Sequence, residues 1–312
     1  MIIDDLFENS MNKDSHREWR KIADSVNSGQ RELCNNLYSK YKPFSDNDFK
    51  GKFMEQFYPA FWEMDLACTL MDSGFQLSEE YSGNRGPDIC LINSKENRVW
   101  IEAICVNTAT SPKGRSLGHE DHTMIIDSEK TMLRLTHAIS KKDKKHKEYL
   151  KNDICKKGEP FIIAINGSLL TPGPGLDELT PRIVKAVFEG GRDEILFNRN
   201  DGNCAERQLS YRQTIPKDNG EKICINYFRL KNYSNISALL YSESNIWYRP
   251  AELGSDYVIV HNPAADCPVK EGFFQFGTEY IEKKDKNKIN YIEIKKLSFH
   301  EKKQLLNKLK NK

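Results

Sequence analysis

Apolar side chains recur at the spacing of a helix face between residues 53 and 75. The face is formed by Phe57, Phe61, Met64, Ala67, Cys68 and Met71. Steps of three and four residues bring such side chains onto one side of an α-helix. Gly74 fits the position just past a helix end, where a positive φ is often needed. The pattern therefore predicts a single helix over this segment.

Three segments with strand patterns come next. They are GFQLSEEY, PDICLIN and RVWIEAICV, and the polar turn NSKEN joins the last two. Apolar side chains alternate along the third segment, so one of its faces is wholly apolar. Its other face carries Glu102 between Trp100 and Ile104. A lone carboxylate among apolar neighbours indicates a functional side chain.

The rest of the chain alternates further helices and strands. A Gly- and Pro-containing loop over residues 106–127 leads into a long helix, and a continuous apolar run then has the character of a central strand. The predicted helices cover 128–153, 179–190 and 300–312, and the predicted strands cover 160–166, 222–230, 235–242, 256–262 and 290–297.

The order of elements predicts an α/β fold. Helix, three strands, helix and strand build a mixed sheet with helices on its faces. With 312 residues the chain can bury a large core. We expect an N-terminal helical extension over residues 1–50, an α/β core over 51–265 and a basic C-terminal extension over 266–312.

Composition narrows the class of protein. Aromatic residues make up 10% of the chain, too many for a disordered protein. No apolar run approaches the roughly 20 residues that cross a bilayer, so no membrane partner is expected. The acidic segment MIIDDLFENSMNKD does not resemble a secretory signal. The eight cysteines contain no C-x-x-C pair, which is typical of a reducing compartment. A cytoplasmic location is expected.

Two carboxylates are predicted to meet on neighbouring strands. Asp88 follows Gly86 and Pro87 where one strand opens, and Glu102 lies on the next. Hairpin pairing would bring both side chains together at one end of the two strands. Like charges so placed repel each other, and a divalent cation between them relieves the repulsion. A metal-bound water can then act as a nucleophile.

The segments Pro87-Asp88 and Glu102-Ala103-Ile104, with this order of elements, resemble the PD-(D/E)XK (restriction endonuclease-like) nuclease superfamily. The resemblance covers roughly residues 53–166. It implies that Asp88 and Glu102 bind Mg²⁺ or Mn²⁺, that the Ala103 carbonyl is a further ligand, and that Glu63 on the preceding helix completes the site.

Ile104 departs from the family pattern. The resemblance implies a lysine two residues after the glutamate, where it positions water and stabilises charge. An isoleucine does neither. The following helix offers basic replacements in Arg134, Lys141, Lys142 and Lys144. Arg134 and Lys141 are seven residues apart and share a helix face with Ala138. Lys141 is therefore the favoured substitute, with Arg134 as the alternative.

These expectations define a metal-dependent nuclease acting on DNA, with RNA as the alternative substrate. Catalysis would use Glu63, Asp88, Glu102 and Lys141 or Arg134. The lysine-rich segments 141–157 and 283–312 would contact phosphates, although taken alone they are better explained as solvated helix faces. The net charge of only +2 does not itself indicate a nucleic-acid partner.

Other interpretations remain open. One is an inactive binding or regulatory protein on the nuclease fold, which Ile104 favours. Another is an unrelated interaction protein, delivered outside the cell, in which the three acidic residues lie far apart. His119 and His122 have metal-ligand spacing, but their Gly- and Pro-flanked segment favours a solvent loop. The oligomeric state is undetermined, and a homodimer is one of the states considered.

Overall fold

A computed structural model gives the fold. It describes residues 5–8, 12–25, 28–80, 86–92, 98–107, 128–170, 179–200, 202, 204–283, 291–298, 300–302 and 304. The segment with His119 and His122, and most of the predicted C-terminal helix, lie outside these ranges.

Six α-helices lie within the described ranges. They are α1 (Arg17–Ala23), α2 (Gly29–Tyr41), α3 (Phe49–Glu55), α4 (Phe57–Asp72), α5 (Ser128–Lys151) and α6 (Arg182–Lys185). Short 3₁₀ helices cover Lys42–Phe44, Tyr227–Arg229 and Lys231–Tyr233. None of the helices in these ranges has both the length and the apolar character that spanning a bilayer requires.

The described strands form one large sheet and one small hairpin. They are β1 (Gln76–Leu77), β2 (Ile89–Ile92), β3 (Arg98–Asn107), β4 (Phe161–Leu169), β5 (Gly190–Phe197), β6 (Cys204–Tyr211), β7 (Thr214–Pro216), β8 (Lys222–Cys224), β9 (Ala238–Ser242), β10 (Val258–His261), β11 (Thr278–Lys283) and β12 (Tyr291–Leu297). The sheet order is β1-β2-β3-β4-β9-β10-β11-β12-β6-β5, and β7 pairs with β8.

The sheet is mixed, and its first strands follow the predicted order. Antiparallel pairs join β1 to β2 and β2 to β3. The long helix α5 then connects β3 to the parallel strand β4, and β9 is parallel to β4. All nine residues of β4 are buried, as the apolar run predicted. The prediction of a mixed sheet flanked by helices is confirmed.

Helices cover the two faces of this sheet with separate apolar cores. Ile101 and Ala164 face the core that contains α4, whereas Trp100 and Ile163 face the core that contains α5. The alternation of side chains along β3 and β4 produces this division. Glu102 therefore lies on the same face as Trp100 and points toward α5.

Both predicted extensions contribute to the main structure. Trp19 of α1 and Leu37 of α2 belong to the same apolar cluster as α4, so the N-terminal helices cover that face of the sheet. The C-terminal extension contains β11 and β12, which pair with each other inside the large sheet.

The prediction of one continuous helix over residues 53–75 is wrong. The chain forms α3 and α4, with a break at Gln56, whose φ is −123° and ψ is 56°. Pro59 explains the break, because proline lacks an N–H and its ring clashes with the carbonyl four residues earlier. Proline is tolerated in the first turn of a helix, which is its position in α4.

Two further predictions need correction. The helix predicted over residues 179–190 is only the four-residue α6, and the chain turns at Glu189, where φ is +58°, before β5 begins. The strand predicted over 222–230 ends at Cys224 and gives way to a 3₁₀ turn. Four strands, β5, β6, β7 and β11, were not predicted, because their sequences show no apolar alternation strong enough to identify them.

Two glycines provide a matched test of backbone conformation. Gly74 ends α4 with a φ of +88°, whereas Gly51 lies inside α3, and an added Cβ would contact nothing within 4 Å at either site. We expect Gly74→Ala to lower the free energy of unfolding by about 1 kcal/mol through strain. Gly51→Ala should raise it by about 0.5–1 kcal/mol. Chemical denaturation of both variants measures these changes. Changes of the same sign in the two free energies of unfolding would contradict the prediction.

Candidate active site

Asp88 and Glu102 meet where β2 begins, as hairpin pairing predicted. Ile89 pairs with Ile101, so the preceding Asp88 stands beside Glu102. The Asp88 Oδ2 atom accepts a hydrogen bond of 2.6 Å from the Ala103 backbone N–H. The carboxylate of Asp88 is thereby fixed to the strand that carries Glu102.

The Glu102 carboxylate is fully buried and bound on both oxygens. Its Oε1 atom lies 2.6 Å from Lys142 Nζ and 2.6 Å from Lys145 Nζ. Its Oε2 atom accepts a 3.0 Å hydrogen bond from the Tyr149 hydroxyl, which also lies 3.0 Å from the Gly86 carbonyl. Two ammonium groups and a phenol thus replace the water that this carboxylate loses on folding.

Glu63 lies on α4, on the other side of β3, and interacts with Asp88. The Tyr41 hydroxyl donates a short hydrogen bond to Glu63 Oε1. Burial and the charge of Asp88 raise the pKa of Glu63 to about 8. Burial and the charge of Glu102 likewise raise the pKa of Asp88 to about 6, although Lys142 and Lys145 oppose this shift. The three carboxyl groups therefore lie close enough to affect one another.

Lys145 experiences the field of all three acids. Burial disfavours its charged form, but the charges of Glu102, Asp88 and Glu63 outweigh burial and raise its pKa. Its side chain is 44% exposed, whereas that of Lys142 is 11% exposed. Lys142 is therefore the internal partner of Glu102, and Lys145 lies at the mouth of the cluster.

The interpretation that Lys141 faces inward is wrong. Lys141 and Lys144 are exposed, and Arg134 is half-buried about 12 Å along the helix axis from Lys142. The inward positions belong to Lys142 and Lys145. The sequence analysis named Lys142 only as one of several basic candidates, and it missed Lys145, Tyr149 and Tyr41.

The helical spacing contained the signal for two of these residues. Leu135 and Ile139 are fully buried, and the same stripe continues in steps of three and four residues. Those steps lead to Lys142, His146 and Tyr149. The same spacing taken from Ala138 leads to Lys141, the exposed residue before Lys142, and for this reason the prediction chose the wrong lysine.

The oxygen atoms around Asp88 suit a hard cation. Burial and, next, a neighbouring carboxylate raise the pKa of both Glu63 and Asp88, and a divalent cation between them would favour their charged forms. The N–H and C=O groups of a strand residue point to the same side of the strand. The Ala103 carbonyl therefore points to the side on which the Ala103 N–H donates a hydrogen bond to Asp88. Glu102, predicted as a metal ligand, binds two lysines instead.

The protein alone does not form a complete metal cage here. In the described part of the chain, no group of three or more His, Cys, Asp or Glu side chains is placed to hold a metal ion. Mg²⁺ often uses only one or two carboxylates and retains several waters. The residues therefore fit a partly hydrated cation beside Asp88 and Glu63.

Comparison with known proteins adds no relative. No protein-family model matches the chain, and neither a curated protein nor a solved structure matches it.

A second buried charged cluster has a structural role. His261 Nε2 lies 2.9 Å from Glu279 Oε2, and Lys302 Nζ lies 2.6 Å from Glu279 Oε1. Lys302 also donates to the carbonyls of Phe274 and Phe276. These bonds hold the segment after β12 against the sheet. They also give the polar side chain of His261, at the end of β10, a buried partner.

The carboxyl cluster predicts a pH-dependent stability. Glu63 has an ordinary pKa of 4.5 and a folded pKa of about 8. Between about pH 5 and pH 8 the folded protein therefore holds a proton that the unfolded chain has released, and stability falls as pH rises. Glu63→Gln should flatten this decline, as measured by urea denaturation across that range.

The exposed Glu55 supplies the control for this measurement. Glu55→Gln should retain the slope of the parent protein. A Glu63→Gln variant with the parent slope would contradict the assigned shift.

Proposed function

We propose that the protein is a nuclease that hydrolyses phosphodiester bonds, with Asp88, Glu102, Lys142 and Lys145 at its active centre. DNA is the proposed substrate, and RNA is the alternative. The observation that carries the proposal is the contact of two α5 lysines with Glu102 beside Asp88. This contact places ammonium groups beside the two acids, where the residue at position 104, an isoleucine, has no charge to offer.

Two acids at adjacent positions of β2 and β3, together with lysines from the helix packed on them, suit phosphoryl chemistry. The carboxylates lie on adjacent strands, where the β2–β3 ladder fixes their separation. An ammonium group beside them can stabilise the charge that develops on a phosphate in the transition state. The order helix, three strands, helix and strand supports the resemblance to the PD-(D/E)XK superfamily.

The two lysines have separate roles in this proposal. Lys142 is almost buried and lies 2.6 Å from Glu102, so it is the internal counter-charge of that carboxylate. Lys145 shares the same Glu102 oxygen but is 44% exposed, so it can reach a phosphate without leaving Glu102 unpaired. Lys145 is therefore the residue proposed to contact the reacting phosphate.

A divalent cation, Mg²⁺ or Mn²⁺, would be held by Asp88, Glu63 and the Ala103 carbonyl. When bound, it would supply an activated water and neutralise phosphate charge. The exposed Lys141 and Lys144 on the same helix are suited to bind more distant phosphates. These contacts would make binding depend on salt concentration.

An inactive nucleic-acid-binding protein is the second candidate function. The observation that favours it is the complete saturation of Glu102 by lysine and tyrosine, which leaves this carboxylate no free oxygen for a metal. Such a protein would bind nucleic acid with the same exposed lysines and would not cleave it. An unrelated interaction protein is disfavoured, because its three acids were expected to lie far apart.

The first functional prediction concerns the acidic residues. Purified protein with Mn²⁺ should cleave single-stranded or duplex DNA, and Asp88→Asn should reduce the rate about a hundredfold or more. Asp88→Asn should also abolish Mn²⁺ binding measured by calorimetry, because it removes the charge beside Glu63. Gel analysis of labelled DNA and RNA gives the rates.

Exposed Asp72 offers a control, since Asp72→Asn changes an acid at the far end of α4. It should retain cleavage and metal binding. Absence of cleavage on every nucleic acid, with nucleic-acid binding intact, would favour the inactive binding protein.

The second prediction separates the two lysines. Lys145→Met should reduce cleavage strongly and change the melting temperature little, because its side chain is 44% exposed and Lys142 still pairs with Glu102. Lys142→Met should lower the melting temperature by several degrees, since Glu102 then loses its buried counter-charge. Thermal melts and single-turnover cleavage measure both effects.

Lys130→Met is the matched control in the first turn of α5, where the lysine side chain is 60% exposed, and it should cleave at nearly the parent rate. Equal cleavage by the Lys145→Met and parent proteins would contradict the role proposed for Lys145.

A further inference from the structure

Two tyrosine rings lie together against one flank of α5. Tyr227 and Tyr233 belong to the two 3₁₀ helices that precede β9, and their ring centroids lie 4.4 Å apart with the ring planes at 86°. The Ser140 Oγ atom of α5 lies 3.2 Å from the hydroxyl oxygen of each ring. Both residues are half-buried, so part of this tyrosine pair is accessible beside the helix.

Lys147 holds the segment that carries the tyrosine pair against α5. Its ammonium nitrogen lies 5.9 Å from the centre of the Tyr233 ring and donates a 3.2 Å hydrogen bond to the Asn232 carbonyl. The buried carboxylate of Asp143 pairs with the same ammonium group at 2.7 Å. The rings therefore have a defined position on the helix surface.

Exposed lysines connect the tyrosine pair to the proposed active centre. Between residues 141 and 151 five residues of α5 are exposed, of which four are lysines and one is a glutamate. Each residue of an α-helix turns the side-chain direction by about 100°. Lys145, Lys141 and Lys144 therefore follow one another around the outer face of the helix in steps of about 40–60°. One further step of about 60° reaches Lys147, beside the tyrosine pair.

This surface combines the two features that suit single-stranded nucleic acid. Ammonium groups attract the phosphates of the backbone, and aromatic rings stack on bases. The exposed Lys231 adds a positive charge two residues before Tyr233. In a duplex the bases are stacked on one another and paired, so a tyrosine ring reaches only the bases of an unpaired strand.

We propose that the exposed face of α5 and the tyrosine pair bind single-stranded nucleic acid, which delivers an unpaired strand to the active centre. The inference rests on the proposed function, because it names the form of that substrate. Phosphates lie along Lys141 and Lys144, and a base stacks on the tyrosine pair beyond them.

The first test measures binding without cleavage. Fluorescence anisotropy in EDTA gives the affinity of the full chain for a labelled single strand and for the same strand annealed to its complement. The single strand should bind about tenfold more tightly, because only its bases can stack on the rings. DNA and RNA strands are compared, since both offer this chemistry. A duplex that binds as tightly as the single strand would overturn the inference.

The second test isolates the aromatic contribution. Tyr233→Leu removes one ring and should weaken single-strand binding about tenfold while its salt dependence stays that of the parent. Tyr233→Phe keeps the ring and loses the hydroxyl group, so it should bind as the parent does. Tyr248→Leu is the matched control, at a tyrosine that is 40% exposed in another part of the surface. Parent affinity in Tyr233→Leu would contradict stacking.

The third test isolates the charges. A variant with both Lys141→Gln and Lys144→Gln should reduce the slope of log K against log salt concentration by about 1.4, since each phosphate contact with a single strand contributes about 0.7. Lys130→Gln, in the first turn of α5 where the lysine is 60% exposed, should keep the parent slope. A parent slope in the double variant would overturn the path along α5.

These measurements separate the inference from the nuclease proposal. Single-strand binding that depends on Tyr233, together with no cleavage under Mn²⁺, would sustain the inference and refute the nuclease. Cleavage by a protein that binds duplex and single strand equally would refute the inference and sustain the nuclease.

Discussion

The buried carboxylate of Glu102 is the constraint on which the rest of the site depends. A buried charge is costly unless oppositely charged and hydrogen-bonding groups surround it. Lys142, Lys145 and Tyr149 meet this requirement from three turns of α5. The contacts fix the position of α5 on the sheet, and this explains why a helix rich in lysine packs against a buried strand.

The same contacts determine the orientation of the other acids. Tyr149 also reaches the Gly86 carbonyl, which fixes the turn that delivers Asp88 to the edge of β3. Asp88 is then tied to the backbone of Ala103 and faces Glu63 across the strand end. Packing of α5 thus positions Glu102 and the turn before Asp88, whereas Tyr41 of α2 holds Glu63.

Periodicity alone predicted the central part of the fold. The apolar stripe of α5, the alternation along β3 and the apolar run of β4 are strong local patterns, and each gave the correct element. The adjacency of Asp88 and Glu102 followed as well, because a short polar turn between two strands leaves one natural pairing.

The remaining features depend on non-local contacts. Lys142 was considered only as one of several basic residues, because a charged side chain looks solvated until its buried partner is known. The strands β5 and β6 consist mostly of polar residues, and their place in the sheet comes from pairing with each other and with β12. A residue pattern read along the chain contains no information on such partners.

The charge balance divides the site into two halves. On the α5 side, two ammonium groups face one carboxylate, so positive charge is in excess. On the α4 side, burial raises the pKa of Glu63 and the nearby charge of Asp88 raises it further, so Glu63 retains a proton at neutral pH that a cation would displace. An anionic phosphate is attracted to the first half and a cation to the second. A phosphodiester bound together with a divalent ion would satisfy both halves at once, and this is the strongest physical reason to regard the cluster as a reaction centre.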